Sequence, residues 1–246
     1  MLRKPCLTKE DIFEVTGVSH LETLIELEIL FNSCDEIANL EQCCALQHLI
    51  MLDNGLKRIS NLSCVGHTLT KLCLCDQDIT VMENLKLPNL RELYLHRNCI
   101  TRISGLNGCA RLRKLWLFQN KITAIEDLHA VPELEELWLQ ANHITSLSGI
   151  ECCANLINLG LAGNPISSFF EMQKLFGLLK LRELSFNDIH FGRSSIADDN
   201  GYKEFVLCYM RHICVLDGVA LTKENFEEAM SVYMRQVKLH PELVVS

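Results

Sequence analysis

The sequence predicts an α/β solenoid, with a curved parallel sheet on the concave face, a short helical or irregular convex side, and a helical cap at each end. Three observations carry that prediction. A beat of close to 22 residues starts at Leu24, Leu46, Leu69, Leu90, Leu112, Leu134 and Leu156, with a partial eighth unit at Leu181. Each unit opens on a Leu-x-x-Leu-x-Leu type of phrase, and an asparagine follows at Asn32, Asn54, Asn98, Asn120, Asn142 and Asn164. A unit this short cannot bury its own apolar face, so a fixed period means stacked units that share one core.

The elements follow in chain order. Residues 1–23 are expected to form an N-terminal helical cap, with Thr8 as N-cap of a helix over 9–15 and Gly17 ending it. Without such cover the first strand edge would stay unpaired. Residues 24–186 hold seven full repeats and the partial eighth. In each, the second and third leucines of the opening phrase point into the core and the residues between them point out, by period-2 alternation. Side by side at ~4.8 Å, eight such strands make a sheet roughly 38 Å across. The asparagines stand where the chain turns inward, and an amide can satisfy backbone donors and acceptors there. The third unit breaks step, with Gln77 in this place and a length of 21 residues, while units two and seven run to 23 and 25. Those irregularities fall on the loop side.

Residues 187–220 are expected to form the C-terminal cap. A polar stretch over 187–201 leads into Tyr202, Phe205, Val206, Tyr209, Met210 and Ile213, spaced as on one helix, and the segment closes at Asp217-Gly218. Residues 221–246 form an amphipathic helix and tail, with Phe226, Met230, Tyr233 and Val237 in one stripe. Thr222 caps this helix, Glu224 suits its first turn and Lys238 its last. Docking on the cap helix is the favoured fate of its stripe, and a helical partner the other.

Bulk properties bound the function. The chain has 246 residues, 48% of them apolar, a formal charge of −8 and a pI near 5.6. Nothing here drives binding to nucleic acid or membrane. No window approaches the ~18 apolar residues of a membrane span, and the start turns charged before a signal-peptide stretch develops. The 13 cysteines are odd in number and follow the repeat rather than a bridge framework. Cys34 takes an isoleucine slot, and Cys43, Cys109 and Cys153 take the slot held by Val131 and Leu175 in sister units. Reduced cysteine is a small buried hydrophobe, which points to a reducing cytosolic or nuclear compartment.

The 22-residue unit resembles the intracellular leucine-rich repeats of the protein phosphatase 1 regulatory-subunit class. The segment from Tyr202 to Leu216-Asp217-Gly218 is similar to the C-terminal cap of many such proteins. Units such as Leu90-Arg91-Glu92-Leu93-Tyr94-Leu95 and Leu134-Glu135-Glu136-Leu137-Trp138-Leu139 look closest to ciliary and flagellar members. The resemblance implies a leucine-rich-repeat solenoid that binds proteins and catalyses nothing. It further implies a place in the cytoplasm, at a cilium or flagellum, with an axonemal protein as partner. Two alternatives share parts of the pattern. One is a regulatory subunit holding a phosphatase catalytic subunit, for which Glu92, Tyr94, Trp116, Glu136 and Trp138 have the right types. The other is a spliceosomal small-ribonucleoprotein scaffold, which is weaker because the chain lacks a basic tail.

Function must lie on the surfaces the repeat leaves over. One outward ladder reads Glu28, Ile50, Cys73, Tyr94, Trp116, Trp138, Gly160, Ser185, and its neighbour reads Leu30, Leu52, Cys75, His96, Phe118, Gln140, Ala162. Both tryptophans of the chain fall on adjacent units of one face, and clustered Trp and Tyr mark interface hot spots. The expected partner-binding set is Tyr94, His96, Arg97, Trp116, Phe118, Glu136, Trp138 and Gln140. Around it, Lys71, Arg91, Arg97, Arg113 and Lys114 suggest a basic band, and Glu133, Glu135 and Glu136 an acidic group beside Trp138. A solvated charged rim explains the same residues. Cys73, Cys75 and His96 are the one constellation with metal or nucleophile character, but zinc wants four ligands and a Cys–His nucleophile wants a third group and a pocket. No metal, no cofactor and no catalytic residue is therefore expected, and the unbound chain is expected to be a monomer. No phosphate-cradling glycine loop or nucleophile elbow appears.

Overall fold

The computed structural model describes residues 6–8, 21–32, 34–199 and 201–239. Alternation of leucine with polar or aromatic residues makes a short strand at the start of every unit, after a first strand β1 (Cys6–Thr8). The repeat strands are β2 (Glu26–Leu30), β3 (His48–Leu52), β4 (Lys71–Cys75), β5 (Glu92–Tyr94), β6 (Lys114–Trp116), β7 (Glu136–Trp138), β8 (Asn158–Gly160) and β9 (Glu183–Ser185). Each pairs in parallel with the next, without a crossover, in the order of the sequence. The hairpin β10 (Asn187–Asp188) and β11 (Gly192–Arg193) stands apart, while β12 (Val215–Leu216) extends the main sheet beside β9 and β13 (Val219–Ala220) closes it antiparallel.

Inward residues of these strands, such as Leu93, Leu95, Leu115, Leu117, Leu137 and Leu139, are completely buried in one core running the length of the stack. The convex side is built from short 3-10 turns, Leu106–Gly108, Leu128–Ala130 and Ile150–Cys152, each burying its first residue. The cysteines at repeat slots, Cys34, Cys43, Cys109 and Cys153, lie in this core.

The turn after each strand has a fixed backbone signature. Phe31, Asp53, Asp76, Arg97, Gln119 and Ala141 all have positive φ, between 52° and 58°, and Gly163 takes the same place in unit seven. Left-handed backbone costs an L-residue about 1–2 kcal/mol, so something must hold six such turns. The next residue does. Asn120 donates from Nδ2 to the Leu95 and Leu117 carbonyls, and its Oδ1 accepts from the Ile100 N–H one unit earlier. Asn98, Asn142 and Asn164 repeat the arrangement. Gln77, with its longer arm, accepts from the Asn54 and Leu56 N–H groups and donates to Met51. Past the last asparagine, buried Ser194 fills the slot: its Oγ accepts from the Asn164 N–H and donates to the Leu161 carbonyl.

At the amino end, the expected helix over 9–15 lies outside the described residues. What pairs with the first repeat strand is β1, parallel to β2 with Cys6 opposite Glu28. At the other end, the short helix α1 (Phe169–Met172) is followed by α2 (Tyr202–Tyr209), whose Tyr202, Phe205, Val206 and Leu207 are buried against the core. The helical spacing from Tyr202 to Ile213 predicts a longer helix than this. The chain leaves it at Met210, yet Met210 and Ile213 stay buried through a turn. Asp217 ties the end together: its Oδ1 accepts from the Phe186 and Asn187 N–H groups and from the Tyr202 hydroxyl. Burial pushes its carboxyl pKa up, and those hydrogen bonds oppose the rise. Helix α3 (Lys223–Leu239) docks on α2, with Ala229 buried and the Tyr209 and Tyr233 hydroxyls 2.7 Å apart. Among the described residues no helix is long and apolar enough to cross a membrane.

Candidate functional site

Strand register decides which outward side chains meet. Cys73, Tyr94, Trp116, Trp138 and Gly160 stand directly opposite one another on β4 to β8. Tyr94 and Trp116 meet edge to face with centroids 4.8 Å apart, and Trp116 meets Trp138 in the same manner at 6.5 Å. Two residues further along, His96 stacks on Phe118 at 4.2 Å and 13°. Each of these five rings is half-buried.

A sixth ring joins them from outside the repeats. Phe191, in the turn of the β10–β11 hairpin, lies 5.2 Å from Phe118. The hairpin reaches this far because its backbone packs on Gly163, where Phe191 O occupies the space a Cβ would need. Reading the sequence as a featureless polar stretch over 187–201 misses this aromatic. The one signal for it is the pair Ile189 and Phe191 inside an otherwise polar run.

Gln140 does not belong to the open surface. It is 4% exposed and lies with the Trp138 ring over Gly160, which has no side chain to push them off. The expectation that Gln140 meets a partner is corrected on that ground. Around these rings, burial leaves Gln140 Oε1 and the indole Nε1 of Trp116 and Trp138 without a hydrogen-bond partner among the described residues. Each such group costs about 1–3 kcal/mol.

The charges do not separate into a basic band and an acidic group. A third row of the sheet reads Glu26, His48, Lys71, Glu92, Lys114, Glu136, so opposite signs alternate across strands from Lys71 to Glu136. Lys114 Nζ lies 3.0 Å from Glu136, which raises the lysine pKa. Lys71 sits 5.5 Å above the Tyr94 ring, and the Tyr94 hydroxyl donates to Glu92. Arg113 bridges Glu133 and Glu135, and Arg97 pairs with Asp76. Glu136 and Arg97 of the expected binding set are thus engaged within the chain. The apolar rings, not free charges, are what the face offers.

His96 is the one imidazole among them. Burial first, and Arg97 second, hold its pKa down to about 4, so it is neutral near pH 7. Its Nδ1 lies 3.2 Å from Cys75 Sγ. Among the described residues no group of three or more His, Cys, Asp or Glu is arranged to hold a metal ion.

Comparison with known proteins agrees with the architecture. The family model for leucine-rich repeats in two copies matches residues 67–108, 88–129 and 110–152. The fold is a leucine-rich-repeat solenoid. Solved structures support this at low sequence identity. An internalin F of Listeria monocytogenes is 18% identical with a TM-score of 0.60, covering 82% of this chain and 63% of its own. A leucine-rich-repeat protein of Leptospira interrogans is 23% identical with a TM-score of 0.63, covering 92% of this chain and 55% of its own. The functional domain of an internalin J of Listeria monocytogenes, described as including a cysteine ladder, is 19% identical with a TM-score of 0.60, covering 82% of this chain and 51% of its own. The chain therefore spans between about half and two thirds of these structures. In this solenoid Cys43, Cys109 and Cys153 share one buried repeat slot with Val65, Leu87 and Val131. No curated protein matches the sequence. The matching family is a repeat family rather than a catalytic one, and solenoids of this kind work through extended concave surfaces.

Proposed function

We propose that this leucine-rich-repeat solenoid is a non-enzymatic scaffold or adaptor that holds a protein partner on its concave face. The observation that carries the reading is the continuous ring surface of Tyr94, Trp116, Trp138, His96, Phe118 and Phe191, half-buried, in mutual contact and open on one side. Rings fixed on a rigid sheet lose little freedom on binding, so contact area converts efficiently into affinity. The unpaired indole N–H groups add a chemical preference. A segment that shifts the rings slightly and presents a backbone carbonyl would satisfy donors that the free protein leaves unmet.

The partner best suited is an apolar peptide segment with exposed carbonyls, carried by a protein of the cytoplasm. Resemblance of the repeat units to ciliary and flagellar proteins supports an axonemal partner. A phosphatase catalytic subunit has less support, because Glu92 and Glu136 are already held by Tyr94 and Lys114.

The test is affinity purification of the wild type beside a Trp116→Ala, Trp138→Ala double variant, with Phe170→Ala as control. Phe170 is 66% exposed on α1, away from the ring surface. Loss of a defined partner from the double variant alone, with unchanged circular dichroism, is the expected result. Partners retained by all three proteins would move the site to α3.

A further inference from the structure

Cys73 and Cys75 leave the same face of β4, and their sulfurs are in contact at 3.2 Å. Cys75 is buried, with its Sγ also 3.2 Å from His96 Nδ1 and 3.4 Å from the Tyr94 carbonyl oxygen. Cys73 keeps part of its surface open on the concave face. The three groups therefore form a chain whose middle thiol is buried and whose ends, Cys73 and His96, are each partly open. In the tautomer that carries the proton on Nδ1, the imidazole donates to Cys75 Sγ. The single S–H of Cys75 then has two acceptors in reach, the Tyr94 carbonyl and Cys73 Sγ, and when directed at the nearer Cys73 it ends the chain of hydrogen bonds there.

We propose that Cys73 is an oxidation site for small hydroperoxides and that Cys75 is its resolving thiol. A thiolate is the reactive form of cysteine, and oxidation-sensitive cysteines combine thiolate character, access and a neighbouring second thiol. All three meet at Cys73. The hydrogen bond from Cys75, helped by the charge of Lys71, holds the Cys73 thiol below its usual range. Cys34, Cys43, Cys109, Cys153 and Cys208 go the other way, pushed up by burial. The exposed cysteines Cys44, Cys64, Cys152 and Cys214 have the access, and Cys152 also meets a buried thiol, Cys153, but at 4.0 Å and as its chain neighbour, against 3.2 Å between Cys73 and Cys75.

The chemistry balances with the peroxide as sole oxidant. The Cys73 thiolate attacks one peroxide oxygen, the O–O bond breaks, and the departing hydroxide takes a proton from solvent. Cys73 is then a sulfenic acid. Cys75 attacks that sulfur, the S–O bond breaks, and the released hydroxide leaves as water with the Cys75 proton. Two thiols are oxidised to one disulfide and one peroxide is reduced to two waters. Two residues of strand rise separate the Cα atoms by about 6.6 Å, within the range of roughly 4.4–6.8 Å that disulfides span. The inference is independent of what the concave face binds.

The experiment treats the whole reduced protein with equimolar hydrogen peroxide at neutral pH, blocks remaining thiols and maps tryptic peptides by mass. The peptide over 72–86 holds Cys73 and Cys75 and no other cysteine. Its loss of two hydrogens, ahead of oxidation at Cys44, Cys64, Cys152 and Cys214, is the expected result. In Cys75→Ser the reaction should stop at a sulfenic acid on Cys73 that dimedone traps. Oxidation of the exposed cysteines while the 72–86 peptide keeps both thiols would overturn the proposal, as would a Cys75→Ser protein that dimedone labels elsewhere.

Discussion

Phe191 lays its ring 5.2 Å from that of Phe118, so a side chain from the hairpin after the last repeat forms part of the concave aromatic surface. The two residues lie on different substructures, and their contact ties the hairpin to the middle of the sheet. An aromatic pair of this kind couples by about 0.5–1.5 kcal/mol beyond its buried area. A double-mutant cycle of Phe118→Leu and Phe191→Leu, read by urea unfolding, should return a coupling in that range. Strict additivity would mean that the hairpin packs independently of the repeat face.

The asparagine turn gives a second prediction. Asn120→Ala leaves the Ile100 N–H and the Leu95 and Leu117 carbonyls without their side-chain partner in a buried turn. At about 1–3 kcal/mol for each orphaned group, with partial relaxation, the loss should be roughly 2–4 kcal/mol. Asn120→Asp should cost nearly as much, since a carboxylate keeps the acceptor but not the two donations. A urea midpoint unchanged by either substitution would show that the turn is held by strand packing alone.

These two cases mark what the sequence made legible. Period and alternation placed the leucines, the asparagine turn and the ladder from Cys73 to Gly160, because those depend on local pattern repeated in register. They could not place Phe191, whose position depends on a close approach to Gly163 far along the chain. Nor could they show that Gln140 lies down over Gly160, since outward direction on a strand says nothing about what then covers the side chain. Charge pairing was missed for a similar reason. Listing Lys71, Lys114 and Glu136 by sign along the chain hides that register sets them in alternating rows.

A third prediction concerns pH. Burial and Arg97 lower the His96 pKa to about 4 from an ordinary 6.5. Between those values the unfolded chain binds a proton that the folded chain refuses, so stability rises with pH there. The contribution is complete above pH 6.5 and is lost as pH falls toward 4. His212 shifts in the same direction. Urea midpoints should therefore drop between pH 6.5 and 5. His96→Phe, which keeps a ring against Phe118, should shrink that drop, leaving the effect of His212 and the opposing effect of Asp217, whose raised pKa favours the fold as pH falls. An NMR titration that finds the His96 ring protonating near 6.5 would contradict the assignment.

The last prediction separates two glycines that sequence alone treats alike. At Gly160 an added Cβ meets the ends of two side chains, Gln140 Nε2 and Trp138 Cε3, and the backbone has no positive φ. At Gly163 it meets the Phe191 carbonyl oxygen, and φ is +69°. Side-chain ends can move at the cost of an off-rotamer angle, about 0.5–1.5 kcal/mol. A strained left-handed residue pressed on backbone costs about 1–3 kcal/mol and leaves the neighbour nowhere to go. Gly160→Ala should therefore change tryptophan fluorescence, as Trp138 tilts off the sheet, with only a small shift in urea midpoint. Gly163→Ala should lower the midpoint further and weaken the Phe118–Phe191 coupling by displacing the hairpin. The reverse order of stabilities would mean that Trp138 and Gln140 are locked over Gly160 while the hairpin is free to lift.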